Sequence, residues 1–162
     1  MFNMSIRVVG LEGLLAKSAA ARDWAKAPFR RNVALQIRDA FTEEATTAFA
    51  TKGSGIGYPW PALSRNYAAY KSAKYPGRPL MVRSGKLANS LTNETDRNFL
   101  FSNANGKSLT LGTRVKYAKY HQEGVRGKLP ARPLVVATKR LAENVAAALS
   151  ADLEAALRKA KA

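Results

Sequence analysis

Hydrophobic residues in the first fifty positions are spaced as one strand and two helices require. The segment Ser5–Val9 is rich in β-branched residues and ends at Gly10, which predicts an N-terminal strand. Residues 11–24 repeat leucine at helical spacing, and Pro28 stands where the first turn of a second helix tolerates a missing N–H. In that second helix an apolar residue recurs at every fourth position: Phe29, Val33, Ile37, Phe41, Ala45 and Phe49. The pair Lys52-Gly53 predicts its end.

The middle of the chain alternates loops with short helices. The segment Gly53–Pro61 contains three Gly and two Pro, which predicts a loop. The pattern then predicts a helix over residues 63–74 with Ser64 as its N-cap. A second short helix is predicted from its cap Ser84 to about Leu91.

A tight hairpin is the clearest local signal. Two apolar segments, 98–102 and 108–112, flank Asn105-Gly106, a dipeptide that readily supplies the two positive φ angles of a tight turn. Leu109 and Leu111 alternate with polar residues, so one face of the hairpin should be buried. Residues 113–120 are expected to extend the sheet.

Leucine and valine step by four through an alanine-rich C-terminal segment, which predicts a long final helix. The positions are Leu141, Val145, Leu149, Leu153 and Leu157. No internal repeat or long linker separates these elements. We therefore expect one α+β domain over residues 1–162. Its small, mostly antiparallel sheet should be flanked by the long helix of the N-terminal half and by the C-terminal helix.

Composition narrows the class of function. The chain has 162 residues, no Cys and one His, which excludes a disulfide scaffold, a thiol nucleophile, a Cys-ligated metal and a two-His metalloprotease. We expect no metal and no cofactor. A hydrophobic share of 46% excludes a disordered basic tail. No apolar run is long enough to span a bilayer and no signal peptide is evident, so no membrane partner is expected.

The net charge of +16 is concentrated in two segments of the chain. Residues 45–93 hold seven bases and no acid, and residues 114–140 hold eight bases and one acid. A field of that sign attracts phosphate backbones or acidic protein surfaces. A nucleic-acid-binding module is therefore one hypothesis, although the sequence has no zinc-finger spacing and no basic region followed by heptads.

Candidate enzyme residues are few. His121 is the one side chain suited to acid–base chemistry near neutral pH, and Ser84 with Lys86 is the one Ser–Lys pairing considered. A lone His is more often structural, and Ser84 already has a capping role. No phosphate-binding glycine loop has the required spacing. The sequence therefore predicts no enzyme.

Four ordered fragments resemble the phage virion morphogenesis family, the tail-completion and neck proteins of Mu-like and related tailed phages. They are Trp60–Ser64 with Tyr67, Lys71 and Lys74; Pro79–Leu87 with Ser90-Leu91; Val115–Gly124; and Pro130–Leu134. The resemblance covers about residues 29–145. Two residues depart from the family pattern. Glu123 stands where an aromatic residue is common before the Gly, and Leu134 stands where Phe often follows Arg-Pro.

The resemblance implies an α+β fold and a structural role at the head–tail junction of a virion. It implies a hexameric ring that joins the portal-side neck to the tail and surrounds the path of the DNA. The implied partners are other copies of the chain, neck and portal-side connector proteins, and tail terminator or tube proteins, with non-specific contact with the passing genome. The ring would belong to the neck of the virion after assembly in the host cytoplasm.

Basic and aromatic side chains in and beside loops are the docking candidates, because loops usually carry partner contacts. They are Trp60, Arg83, Lys86, Tyr117, His121, Arg126, Lys128 and Arg132. Trp60 lies between two prolines and fits an interface anchor and a core residue equally. A channel through which DNA slides should keep strong positive charge off its lumen. We therefore expect much of the basic surface to face acidic neighbouring proteins.

Overall fold

Six helices and a small sheet make up the part of the chain that the computed structural model describes, residues 2–8 and 19–160. The elements in chain order are β1 (Phe2–Ile6), α1 (Ala19–Ala25), α2 (Arg31–Ala50), α3 (Arg65–Lys74), α4 (Lys86–Thr92), β2 (Phe99–Ala104), β3 (Ser108–Thr113), α5 (Ala118–Glu123) and α6 (Lys139–Lys159). The strands form an antiparallel sheet in the order β1-β3-β2. The fold is α+β, as the sequence predicts.

The long helix α2 follows the four-residue repeat of the sequence. The repeat residues from Phe29 to Ala45 are buried, and Phe49 is half-buried. The helix ends where Lys52 and Gly53 adopt positive φ angles of 53° and 83°, a conformation that stops a helix. The predicted helix and its end are therefore confirmed, although the helix begins at Arg31 rather than directly after Pro28.

The hairpin of β2 and β3 turns at Asn105 and Gly106, whose φ angles are 53° and 71°. The predicted turn is confirmed, and Leu109 and Leu111 are fully buried. The turn also binds the segment before α2, because the Phe29 amide donates to the Gly106 carbonyl at 2.8 Å. A Cβ on Gly106 would lie 2.9 Å from the Cβ of Ala27, so the close approach itself requires glycine.

Contacts within the chain group it into two compact units, each built from separated segments. The first unit consists mainly of Thr42–Leu100 and Gly112–Thr138, and the second of Asn3–Phe41, Phe101–Leu111 and Lys139–Ala162. The expectation of one domain over residues 1–162 stays a prediction.

One acidic side chain, Asp152, connects α1, α2 and α6 in the second unit. Helix α1 packs against α6. The Trp24 indole Nε1 donates to Asp152 Oδ2 at 2.9 Å, and Asn32 Nδ2 donates to Oδ1 of the same carboxylate at 3.2 Å. The Arg30 guanidinium lies 3.5 Å from it. Because Asp152 is nearly buried, these charge-assisted contacts act with little competition from water.

The first unit has an apolar core with one polar network inside it. Its buried apolar residues include Ile56, Trp60, Leu87, Leu91, Phe99, Val115 and Leu134. The Thr113 hydroxyl donates to Ser90 Oγ at 2.7 Å and accepts from the Val115 amide at 3.0 Å. The Ser90 hydroxyl donates in turn to the Leu87 carbonyl at 2.8 Å, so every buried hydroxyl of this network is satisfied.

That network explains why the expected extension of the sheet over residues 113–120 is wrong. The Val115 amide bonds to the Thr113 side chain instead of a neighbouring strand. The Val115 carbonyl then accepts from the Ala118 amide at 3.1 Å, which starts a turn leading into α5. A local side-chain acceptor thus competes with the strand ladder and ends it.

Other element boundaries also differ from the prediction. The first strand is Phe2–Ile6 with burial alternating from Phe2, so it begins before the predicted Ser5–Val9, of which Val9 lies outside the described residues. Ser64 occupies the N-cap of α3 but makes no capping bond with its side chain. The N-cap of α4 is Gly85 rather than Ser84, and the Ser84 hydroxyl accepts a long bond of 3.4 Å from the Lys86 amide. The predicted helix over residues 11–24 falls largely outside the described residues. Its described part, from residue 19 onward, belongs to α1.

Candidate functional site

One cavity gathers most of the predicted docking residues. It has a volume of about 730 Å³ and lies within the first unit. Its lining includes Arg83, Lys86, Tyr117, His121, Lys128 and Arg132. The four fragments that carry the family resemblance all contribute side chains to it. Six of the eight predicted docking residues therefore lie around one cavity, an arrangement that the sequence alone does not show.

Three exposed cations surround this cavity. Arg83 and Lys86 flank the start of α4, and Lys128 projects from the loop between α5 and α6. The Arg83 guanidinium lies 5.7 Å from the centre of the Tyr75 ring, a cation–π distance that holds it near the rim. Among the described residues that line the cavity none is acidic. We call Arg83, Lys86 and Lys128 the rim cations.

Two further cations are structural, since backbone carbonyls take up their donors. Lys71 is 4% exposed, and its Nζ donates to the carbonyls of Pro79 and Leu80, the latter at 2.8 Å. Arg132 is 3% exposed, and its guanidinium donates to the carbonyls of Pro61 and Ala62, both at 2.9 Å. Burial lowers the pKa of each below its usual value. These side chains fix the loops that form the walls.

Arg132, one of the predicted docking residues, is buried and bonded within its own chain, and its role in docking stays a prediction. Besides its side-chain bonds, its backbone amide donates to the His121 carbonyl at 2.6 Å. It therefore ties the end of the 124–133 loop to α5 and to the loop before α3. Gln122 assists, because its amide oxygen accepts from the Leu134 amide at 2.7 Å and its Nε2 donates to the Val135 carbonyl at 2.9 Å. Nothing in the local sequence around Lys71 and Gln122 indicates these roles, because the carbonyls and amide that they bond belong to other loops.

Trp60 lies in the core of the first unit. It is 7% exposed, and its indole Nε1 donates to the Pro133 carbonyl at 2.7 Å. Its ring meets Phe49 edge to face, with centroids 5.4 Å apart. Of the two readings that the sequence left open, the structure favours the core residue. Because its own chain covers most of its surface, little of Trp60 is left for a partner, and its role as an interface anchor stays a prediction.

Tyr117 and His121 form the aromatic edge of the cavity. Their rings meet at 84° with centroids 6.1 Å apart, and the Tyr117 ring is exposed. Within the described part of the chain the buried His121 Nδ1 has no hydrogen-bond partner. Burial, and secondarily the nearby charge of Arg132, lower the pKa of His121 below its usual value, which favours the neutral imidazole. The rim cations therefore supply more of the positive charge at the cavity than His121 does.

Arg126 stands apart from the cavity. It belongs to the exposed turn 124–131, where the Val125 amide donates to the Leu129 carbonyl at 2.7 Å. This pairing turns the chain so that Lys128 lines the cavity while Arg126 does not. Arg126 therefore remains an exposed docking candidate outside the cavity.

A comparison with known protein families matches residues 12–154 to the phage virion morphogenesis family. The chain belongs to this family. The match spans most of the chain and confirms the resemblance seen in the four fragments. No curated protein and no solved structure matches the chain.

Membership in the phage virion morphogenesis family makes the chain a structural component of a phage virion. In the part of the chain that the structure describes, no helix is both long and apolar enough to cross a membrane. Over the same residues, no group of His, Asp or Glu is arranged to hold a metal ion.

Proposed function

We propose that the protein is a non-enzymatic connector of the head–tail junction, a neck or tail-completion protein that forms a hexameric ring around the path of the DNA. The family match over residues 12–154 carries this proposal. Its partners would be further copies of the chain, the portal-side neck and the tail terminator or tube.

The surface of α6 supports ring formation. Leu141 and Ala148 are buried, whereas Val145, Leu149, Leu153 and Leu157 are only half-buried on the same helix. A ring needs heterologous interfaces, in which one surface of a subunit binds a different surface of the next. A leucine stripe that its own subunit covers only in part is suited to that contact.

Native mass spectrometry of the purified protein and of protein extracted from virions tests the ring. We expect a hexamer in at least the virion extract. A species that is monomeric in both preparations would refute the proposal. Electron microscopy of particles produced without the protein should show heads and tails that fail to join.

A matched pair of variants tests the contribution of α6. Leu157→Glu places a charge on the half-buried stripe and should reduce the oligomer to smaller species. Ala155→Glu adds the same charge at an exposed position of the same helix and should leave the oligomer intact. If both variants form oligomers with the wild-type number of subunits, the ring does not use this stripe.

The alternative function is a basic nucleic-acid-binding module, favoured by the row of aromatic rings beside the cavity. Tyr67 and Tyr70 stack with centroids 6.1 Å apart, and Tyr70 meets Tyr75 at 6.4 Å. Exposed aromatic rings next to cations can stack single-stranded bases. Such binding would weaken steeply between low and physiological salt, because neutralised phosphates release counterions. A flat binding curve over that range would exclude this alternative.

A further inference from the structure

The cavity combines positive charge at its rim with a group of apolar side chains in its lining. Its apolar side chains include Leu63, Leu80, Met81, Leu87 and Leu129, and the rim cations stand around them. Within the described chain no carboxylate pairs with any of the three rim cations. A ligand that satisfies both features must carry negative charge beside an apolar group.

We propose that this cavity docks an acidic segment of a different virion protein, in which carboxylates flank an apolar side chain. The proposal rests on the connector function, since a connector needs a binding site for a protein other than itself. The apolar side chain would enter the cavity, and the carboxylates would meet the rim cations.

A second copy of this chain offers little of the complementary charge. Four of its exposed acids in the described residues already pair with a neighbouring cation: Asp23 with Lys26, Asp39 with Arg38, Glu143 with Lys139, and Glu154 with Arg158. With 27 Lys and Arg against 11 Asp and Glu, the chain carries few carboxylates for the cavity of another copy. A more acidic partner therefore complements the cavity better than a second copy does.

The size of the cavity favours a peptide over a DNA duplex. A volume of about 730 Å³ lies in the range of pockets that enclose a small ligand or a few side chains. A duplex could touch only the rim, which would leave the apolar side chains of the lining uncovered. An acidic segment with an embedded leucine or valine would cover them and would also meet the rim cations.

The walls of the cavity are fixed before a ligand arrives. Lys71 holds the loop at residues 79–80, and Arg132 holds the loop at residues 61–62. A preformed site loses less conformational entropy on binding than one that must order its loops. The buried cations thus prepare the site, while the rim cations supply the free charge.

Fluorescence anisotropy with a labelled peptide tests the proposal on the full chain. The probe is a peptide of about ten residues with Glu at alternate positions and Leu at its centre, and the reference probe replaces each Glu with Gln. A single-stranded thymidine oligonucleotide of similar length serves as the nucleic-acid probe. Binding is measured at about 150 mM salt, where distant surface charges are largely screened.

Two triple variants with the same change in net charge separate the cavity from the general field. The cavity variant is Arg83→Gln/Lys86→Gln/Lys128→Gln, and the control variant is Arg65→Gln/Lys74→Gln/Lys116→Gln. All six positions are exposed in the first unit, and the control positions do not line the cavity. We expect the cavity variant to bind the Glu peptide about tenfold more weakly and the control variant less than about threefold more weakly.

Several results would overturn the proposal. Equal losses in both variants, or equal binding of the Glu and Gln peptides, would show that no specific acidic site exists. Tighter binding of the oligonucleotide than of the peptide, lost in the cavity variant, would assign the cavity to nucleic acid. Self-association lost in the cavity variant alone, without peptide binding, would assign it to a second copy.

The connector function is tested separately from the cavity. The cavity variant should form an oligomer with the same number of subunits as the wild type, because the rim cations are not assigned to the ring contact. A monomer in every preparation would refute the ring yet leave the peptide measurement valid. A ring that fails to bind the Glu peptide would refute the acidic docking site alone.

Discussion

Replacing Gly53 by alanine should be far more damaging than the same replacement at Gly57. Both residues lie in the loop after α2 with nearly equal φ angles, 83° and 79°. A Cβ on Gly53 would lie 2.1 Å from the Tyr58 carbonyl oxygen and 2.6 Å from Cδ1 of Trp60, whereas a Cβ on Gly57 meets nothing within 4 Å. The pair therefore separates steric contact from backbone strain.

The magnitude follows from the contacts that must shift. Alanine at a left-handed position costs about 1 kcal/mol, which is the whole effect expected at Gly57. At Gly53 the loop must also move away from a backbone atom, which overpacks the site at about 1–3 kcal/mol. That movement strains the bond from the Trp60 amide to the Lys52 carbonyl, now 2.8 Å, at about 1 kcal/mol more. We expect a total near 4 kcal/mol.

Urea unfolding followed by tryptophan fluorescence and far-ultraviolet circular dichroism measures both variants. Trp60 reports directly on the loop, because its ring would be one of the atoms displaced. The Gly57→Ala protein is the control for a left-handed alanine in the same loop. If the two variants lose the same free energy of unfolding within about 0.5 kcal/mol, the close packing around Gly53 is refuted.

Three further predictions concern single side chains. Asp152→Ala should lower the free energy of unfolding by about 2 kcal/mol, because three donors lose their acceptor. The exposed control Glu154→Ala should change it by less than about 0.5 kcal/mol, and equal changes in urea unfolding would contradict this prediction. Ser90→Ala and Thr113→Val should each lower the free energy of unfolding by about 1 kcal/mol. The double variant should lower it by less than the sum of the two, because both changes delete the same hydrogen bond, and strict additivity would count against the network. Since the pKa of His121 is lowered, the unfolded chain binds more protons between that pKa and 6.5. Stability should therefore fall as the pH drops below 6.5, and His121→Gln should weaken this fall; an unchanged slope would refute it.

Elements with a strong local pattern could be predicted from the sequence. The four-residue repeat of α2 and the leucine repeat of α6 depend only on neighbouring residues, and Asn105-Gly106 encodes its own turn. The predicted extension of the sheet beyond β3 is wrong, because the Thr113 hydroxyl bonds to Ser90, which lies 23 residues earlier. No local pattern contains that partner.

The sequence places basic residues in loops but does not show how they are arranged. A charged side chain in a loop does not reveal whether backbone carbonyls will accept its hydrogen bonds. Lys71 and Arg132 are buried because distant loops present two carbonyls to each, a consequence of tertiary structure. Trp60 was ambiguous for the same reason, since the Pro133 carbonyl that binds its indole is 73 residues away.

The carboxylate of Asp152 makes α6 a condition for the stability of the second unit. It bonds to Trp24, which is 128 residues earlier in the chain. A truncated polypeptide that lacks α6 would leave this indole, Arg30 and Asn32 without their acceptor, and α1 without the helix that covers it. Such a product would remain open to proteolysis.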